Sequence, residues 1–152
     1  MIYQNFCLLG THAYHGENIQ FAILMDKNPW KVLCNDKTYW VWWEREDVKD
    51  GFEPNEHWRP LKVDGEKLEK LFRESDPWHW RKDTAVFEDE EIQVPCDGPS
   101  LNFIWKNGKR FKEVSYWCYA YPEDRAFPEM EKLEGLNAWL EGERRMLSQD
   151  QF

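Results

Sequence analysis

The sequence lacks the short motifs that most readily identify enzymes. Its 152 residues contain no Gly-rich phosphate loop, no dinucleotide fingerprint, no GxSxG turn, no HExxH pair and no EF-hand pattern. Catalytic groups can meet in space from distant parts of a chain, so this absence removes evidence for an enzyme without excluding one. We therefore predict no catalytic residues and rank binding functions above an enzymatic one.

Metal-binding and redox motifs are also missing. No two cysteines stand at CxxC spacing, which argues against a zinc site or a thioredoxin-like pair and favours buried free thiols at Cys7, Cys34, Cys96 and Cys118. Disulfides would require an exported protein. His12 and His15 form an HxxH pair, but they fall in a predicted loop without a third nearby ligand. We predict neither a metal nor a cofactor.

Long apolar runs are absent. No stretch of 18 apolar residues exists, so the sequence predicts no membrane-spanning helix and no membrane partner. Residues 1–16 have no basic start and no long apolar core, which is unlike a signal peptide. These patterns lead us to expect a cytoplasmic protein.

Positive charge is scarce relative to negative charge. There are 29 acidic and 20 basic residues, a net charge of −9, and a negative field repels nucleic-acid phosphates. We therefore expect no nucleic-acid partner, but a neutral ligand or a protein with a basic surface. Residues 87–91, FEDEE, could steer such a partner. Alternatively they form a solvated loop whose charge is neutralised by the basic stretch 106–112, KNGKRFK.

Apolar and aromatic residues, in contrast, are plentiful. They make up 41% and 16% of the chain, with ten Trp, so ordering entropy can be offset by burial. We predict one domain over residues 1–152, long enough to bury roughly 68–70% of its unfolded surface. Two similar ββα halves, 1–76 and 84–147, are a further hypothesis, because both pass from a strand through a polar turn to an aromatic strand and a Leu-rich helix.

Alternation and turn residues predict short antiparallel strands at 2–9, 19–25, 30–34 and 38–43, with a loop from Gly10 to residue 18. Residues 48–63 contain Gly51, Pro54 and Pro60 and are predicted to be irregular. The dipeptide Asn107-Gly108 between apolar strands predicts a hairpin with a type I′ turn.

Two segments have helical periodicity. Asp64 can cap a helix that places Leu68, Leu71 and Phe72 on one face and cannot continue through Pro77. A second helix follows Pro128, with apolar residues Met130, Leu133, Leu136, Leu140 and Leu147. The patterns together predict an α+β fold, with a mainly antiparallel, strongly twisted or curled sheet packed by about two helices near 64–75 and 128–147.

The stretch 38–47, TYWVWWERED, is apolar on both faces of a strand, because Trp40 and Trp42 point opposite to Val41 and Trp43. The hairpin strand repeats this property, with Val114, Tyr116, Cys118 and Ala120 on one face and Trp117, Tyr119 and Tyr121 on the other. Two helices can cover one face. The second face then stays partly open as an aromatic binding surface, unless the sheet curls into a barrel with a filled interior.

The tripeptide His-Trp-Arg occurs twice, on either side of the first helix. One interpretation is an anion or aromatic site that includes His57, Trp58, Arg59, His79, Trp80 and Arg81. The other is structural: the two Trp anchor the helix connections, and the two Arg lie on aromatic faces. We favour the structural interpretation, because no nucleophile or orienting group accompanies the triplets.

In general type, this small, acidic, Trp-rich α+β chain resembles the single-domain immunity proteins of bacteria. The resemblance is one of composition. It implies a non-enzymatic inhibitor that blocks a basic toxin or nuclease, with Tyr and Trp as anchors. The expected contact residues are aromatic or acidic: Trp40, Trp42, Trp43, Glu88, Asp89, Glu90, Glu91, Trp117, Tyr119 and Tyr121. The alternatives are a carbohydrate or small-ligand module with an aromatic sheet face, and an enzyme.

Overall fold

Six strands and two helices make up the computed structural model, which describes residues 1–12, 19–35, 48–76, 100–117 and 128–150. The predicted α+β class is confirmed. The elements in chain order are β1 (Asn5–His12), β2 (Ile19–Leu24), β3 (Lys31–Asn35), β4 (Trp58–Leu61), α1 (Gly65–Ser75), β5 (Ser100–Asn107), β6 (Arg110–Trp117) and α2 (Pro128–Asp150).

The strands form one sheet in the order β4-β3-β2-β1-β5-β6, and every neighbouring pair is antiparallel. The first strand is therefore central, between β2 and β5. Over the described strands the sheet is open, with β4 and β6 at its edges, and it does not close into a barrel.

One face of the sheet packs against both helices. Because successive side chains of a strand point to opposite faces, every second residue contributes to this helix-side core. Its members are Cys7, Leu9, Phe21, Ile23, Val32, Cys34, Leu61, Leu68, Phe72, Leu101, Phe103, Trp105, Leu133, Leu136 and Leu140. Trp30 packs its ring edge-on against Phe72, 5.4 Å between centroids. Lys67 of α1 lies over the ring of Trp139 in α2, 5.4 Å away.

The opposite face carries a second core: Phe6, Leu8, Ala22, Leu24, Val48, Phe52, Trp58 and Ile104. Phe52 stands between Phe6 and Trp58, with centroid distances of 5.6 and 5.4 Å. We expected this face to stay partly open unless the sheet became a barrel. Instead, Val48 and Phe52, which precede β4, pack onto this face of the sheet.

The prediction for residues 48–63 was wrong in part, because β4 lies within them. This strand contains Pro60, which cannot donate a backbone hydrogen bond to a ladder. A strand at the edge of a sheet tolerates that loss, since one side of its backbone needs no partner strand. In the described sheet β4 pairs only with β3, through Leu61 with Val32 and Trp58 with Asn35.

The predicted hairpin at Asn107-Gly108 is confirmed, but its turn is shifted by one residue. Asn107 still belongs to β5 and pairs with Asn5 and with Arg110, so two ladders hold it extended. Gly108 and Lys109 form the turn, and only Gly108 has a positive φ, of 62°. Glycine at the first central position is typical of a type II′ turn, so the predicted type I′ was wrong.

The two predicted helices are confirmed. Asp64 caps α1, because its Oδ1 accepts the backbone N–H groups of Glu66 at 3.0 Å and Lys67 at 3.3 Å. This helix ends at Asp76, whose backbone is left-handed with a φ of 49°. The second helix extends to Asp150, three residues beyond the predicted end.

No described helix is long and apolar enough to cross a membrane. The hypothesis of two ββα halves stays a prediction.

Leu136 tests the helix-side core. It is fully buried, so Leu136→Ala should lower the free energy of unfolding by about 2–5 kcal/mol through lost burial and a residual cavity. Met146 on the same helix is 60% exposed, and Met146→Ala should change stability by less than about 0.5 kcal/mol. Denaturant titrations of both variants make the comparison. Equal effects would contradict the assignment of the buried face of α2.

The reactivity of the Cys7 thiol tests whether the centre of the sheet is buried. Burial raises the pKa of its thiol well above the ordinary value, because a thiolate is poorly solvated there. The thiolate is the nucleophile, so Cys7 should resist iodoacetamide in the native protein between about pH 7 and about pH 9. Mass spectrometry should find it alkylated only after denaturation. Rapid native labelling at Cys7 would contradict the placement of β1 at the centre of the sheet.

Candidate functional site

Most of the chain outside the described residues is attached at one end of the sheet. Pairing places an end of every described strand there, at His12, Ile19, Asn35, Trp58, Ser100 and Trp117. We refer to it as the Asn35 end. Residues 13–18 connect β1 to β2 here, 36–47 follow β3, 77–99 lead into β5, and 118–127 follow β6. Each of these four segments is therefore joined to the Asn35 end by at least one of its own ends.

The same four segments contain most of the net charge. They hold thirteen of the 29 acidic residues and five of the 20 basic residues, a net charge of −8 out of the −9 for the whole chain. Five of the ten Trp and four of the six Tyr also lie in them. The strands and helices are thus nearly neutral overall, while the chain attached to the Asn35 end is acidic and aromatic.

A row of polar residues crosses the second face next to this end. Register pairs Gln20 with Gly10 and Gly10 with Asn102, and Asn35 of β3 joins this row through a side-chain hydrogen bond to Gln20. The Asn35 Nδ2 donates to the Gln20 Oε1 at 3.4 Å, and Gln20 is only 2% exposed. Buried amides are costly unless hydrogen-bonded, so this row is a constrained part of the face.

The neighbouring row toward the other end of the sheet is apolar. It consists of Leu33, Ala22, Leu8 and Ile104 in four adjacent strands. The polar row is therefore the border between the second core and the Asn35 end. Its amide groups are engaged within the fold, because Gln20 is buried and accepts the hydrogen bond from Asn35.

Gly10 is the residue that sequence reasoning misplaced. It was predicted to open a loop, but it is buried inside β1, which continues to His12. Among the described glycines only Gly51 and Gly108 have a positive φ, so the backbone at position 10 does not require glycine. A glycine inside a strand often marks a close approach of other groups to the backbone.

The first His-Trp-Arg triplet lies at the start of β4. Trp58 is 8% exposed and packs its ring at 85° to that of Phe52, so it belongs to the second core. Arg59 is on the opposite face, in register with Cys34. The His57 Nε2 lies 3.6 Å from the Glu56 Oε1 at the surface, and such an exposed contact contributes little. The three side chains therefore do not converge on one anion.

Most of the other predicted contact residues lie outside the described residues: Trp40, Trp42, Trp43, His79, Trp80, Arg81, Glu88, Asp89, Glu90, Glu91, Tyr119 and Tyr121. Trp117 ends β6, where its backbone is in register with Ser100. In the described part, the large apolar side chains that are mostly exposed are Met1, Ile2 and Met146, none of them aromatic.

The basic hairpin stretch is less of a surface patch than the sequence suggested. Lys106 is only 6% exposed, and its Nζ donates to the Gln4 Oε1 at 2.8 Å and to the carbonyl oxygen of Gly108. Arg110 lies over the ring of Trp105, 6.0 Å from its centroid. Lys106 is therefore tied into the structure, and the opposite-charge neutralisation proposed for 87–91 and 106–112 loses one of its cations.

The described residues include no cluster of three or more His, Cys, Asp or Glu that could hold a metal ion. His15, Cys96 and Cys118 lie outside them. Cys7 and Cys34 are buried free thiols, and β2 separates their strands. The described arrangement at the Asn35 end consists of a polar row, an adjoining apolar row and the strand ends to which the acidic segments are attached.

No family model, curated protein or solved structure matches this chain, so its interpretation depends on the Asn35 end and on the residues attached to it.

Proposed function

We propose that this protein is a non-enzymatic, inhibitor-type binding domain that recognises the basic surface of a partner protein. The contact would be made by the segments joined to the Asn35 end. The observation that carries the proposal is the distribution of charge: those four segments hold a net charge of −8 and are attached to a nearly neutral framework. A bacterial toxin or nuclease is the kind of partner implied by the resemblance to immunity proteins.

Electrostatics and aromatic content support different parts of this function. Clustered negative charge raises the rate of encounter with a cationic surface and discourages nucleic acid as a partner. The Trp and Tyr residues in the same segments are of the types that most often dominate binding energy in protein interfaces.

The carbohydrate alternative requires an aromatic platform on the sheet. In the described residues, the large aromatic side chains of both sheet faces, such as Phe21, Trp105, Phe6 and Trp58, are buried. No observation favours this second candidate over the first. A cytoplasmic location accompanies the proposal, and buried free thiols at Cys7 and Cys34 are compatible with a reducing compartment.

A matched pair of charge variants tests the proposal. The first changes Glu88, Glu90 and Glu91 to Gln and Asp89 to Asn. The control changes four exposed acidic residues of the framework to Gln: Glu53, Glu56, Glu74 and Glu131. Both variants have the same net charge, so they differ only in where the charge is removed. Wild-type protein should first capture a partner from a native lysate of the source organism, and mass spectrometry should identify it.

The association and dissociation rates measured with that partner then test the proposed function. The first variant should slow association by about tenfold at low salt and flatten its salt dependence, whereas the control should change it much less. Trp42→Ala or Trp43→Ala should instead raise the dissociation rate. Tight binding to nucleic acid at physiological salt would contradict the proposal. A partner whose association and dissociation rates are the same for wild type, the acidic-run variant and the Trp variants would also contradict it.

A further inference from the structure

The first residues of the chain connect separate parts of the molecule at the end of the sheet opposite to the Asn35 end. Tyr3 forms an antiparallel bridge with Phe52: the N–H of Tyr3 donates to the carbonyl oxygen of Phe52 at 2.8 Å, and the reverse bond is 2.9 Å long. This bridge ties the N-terminus to the chain that covers the second face. It lies outside the six-stranded ladder and adds a separate attachment.

Gln4 extends the attachment with its side chain. The Nε2 donates to the carbonyl oxygen of Asp50 at 2.9 Å, while the Oε1 accepts the bond from the buried Lys106 Nζ at 2.8 Å. One amide thereby links the covering chain to β5. Asp26 holds the backbone in place, because its Oδ2 accepts from the N–H of Gln4 at 3.0 Å and its Oδ1 from the N–H of Asn5 at 2.6 Å.

Gly51 shows how closely these pieces are packed. Its φ of +127° is one that residues with a side chain rarely adopt. A Cβ atom added there would lie 2.8 Å from the Gln4 Nε2 and 3.0 Å from the carbonyl oxygen of Tyr3, and it would also overlap Ile2. Glycine is therefore required at position 51 both by the backbone and by the N-terminal residues that lie against it.

We propose that residues 2–5 form a strap that fastens residues 48–58 over the second face, and that releasing the strap opens the second core as one unit. The two cores lie on opposite faces of the sheet, so the second can open while the helices remain packed on the first. Local opening of a contiguous unit of this kind is a general property of folded proteins. This inference about the strap does not depend on the proposed function.

Opening has a definite chemical consequence. Phe52 is 4% exposed and separates Phe6 from Trp58, so lifting residues 48–57 while Trp58 stays in β4 uncovers the rings of Phe6 and Trp58. It also frees Val48, the first described residue after segment 36–47. The strap thus controls whether the second face is closed or presents an apolar surface. Met1 is 61% exposed, so an extension attached to it should leave the strap in place.

Hydrogen exchange of the full chain, followed by mass spectrometry, tests the strap with three variants. Gln4→Ala removes both side-chain bonds without adding atoms, and Gly51→Ala adds a methyl group against the strap. Gly135→Ala is the control, because a Cβ at Gly135 meets nothing within 4 Å. In both strap variants, residues 48–58 should exchange at least about tenfold faster, since a bond to a buried ammonium is lost or the bridge is displaced.

Exchange rates in different parts of the molecule distinguish release of the strap from a general loss of stability. Exchange in α1 and α2 should stay at the wild-type rate in Gln4→Ala and Gly51→Ala, and Gly135→Ala should leave residues 48–58 unchanged. An increase of equal size in the helices and in residues 48–58 would overturn the proposal, because the two cores would then open together. Unchanged exchange of residues 48–58 in Gln4→Ala would overturn it as well, whether or not Gly51→Ala folds.

Discussion

A sheet that is apolar on both faces must be covered on both faces, and the rest of this structure depends on that constraint. The central strand shows it most clearly: Phe6 and Leu8 point to one side, Cys7 and Leu9 to the other, and all four are at most 2% exposed. Two helices suffice for one face. The other requires residues 48–58, which have little regular structure of their own and are secured by the N-terminal residues.

The two ends of the sheet differ for a related reason. Hydrogen bonds among residues 3–5, Asp26, Asp50 and Lys106 satisfy the backbone and side chains at one end. At the Asn35 end, four acidic and aromatic segments are attached to the strand ends beside a polar row. Charge and aromatic residues can be concentrated in such connecting segments without disturbing the cores.

Local patterns predicted the elements whose cause is local. The Asp64 cap, the Leu stripe of α2 and the glycine-containing hairpin are written in a few adjacent residues, and all were found. Features that depend on a distant neighbour were missed. Asn107 stays extended because β1 and β6 pair with it, so the turn moves to Gly108. Pro60 is accepted in β4 because that strand lies at an edge of the described sheet, and no local pattern reveals edge position.

The sequence by itself determined the α+β class, both helices, most of the strands and the acidic, aromatic character of particular segments. These follow from periodicity, turn chemistry and charge, each of which acts over a few residues. Only the tertiary structure decided that Trp58 is core, that Gly10 lies inside a strand, that Lys106 is buried and that four acidic segments are attached at one end of the sheet. Those outcomes depend on strand order and register, which arise from contacts between residues as many as 103 positions apart, and no short sequence pattern contains both partners.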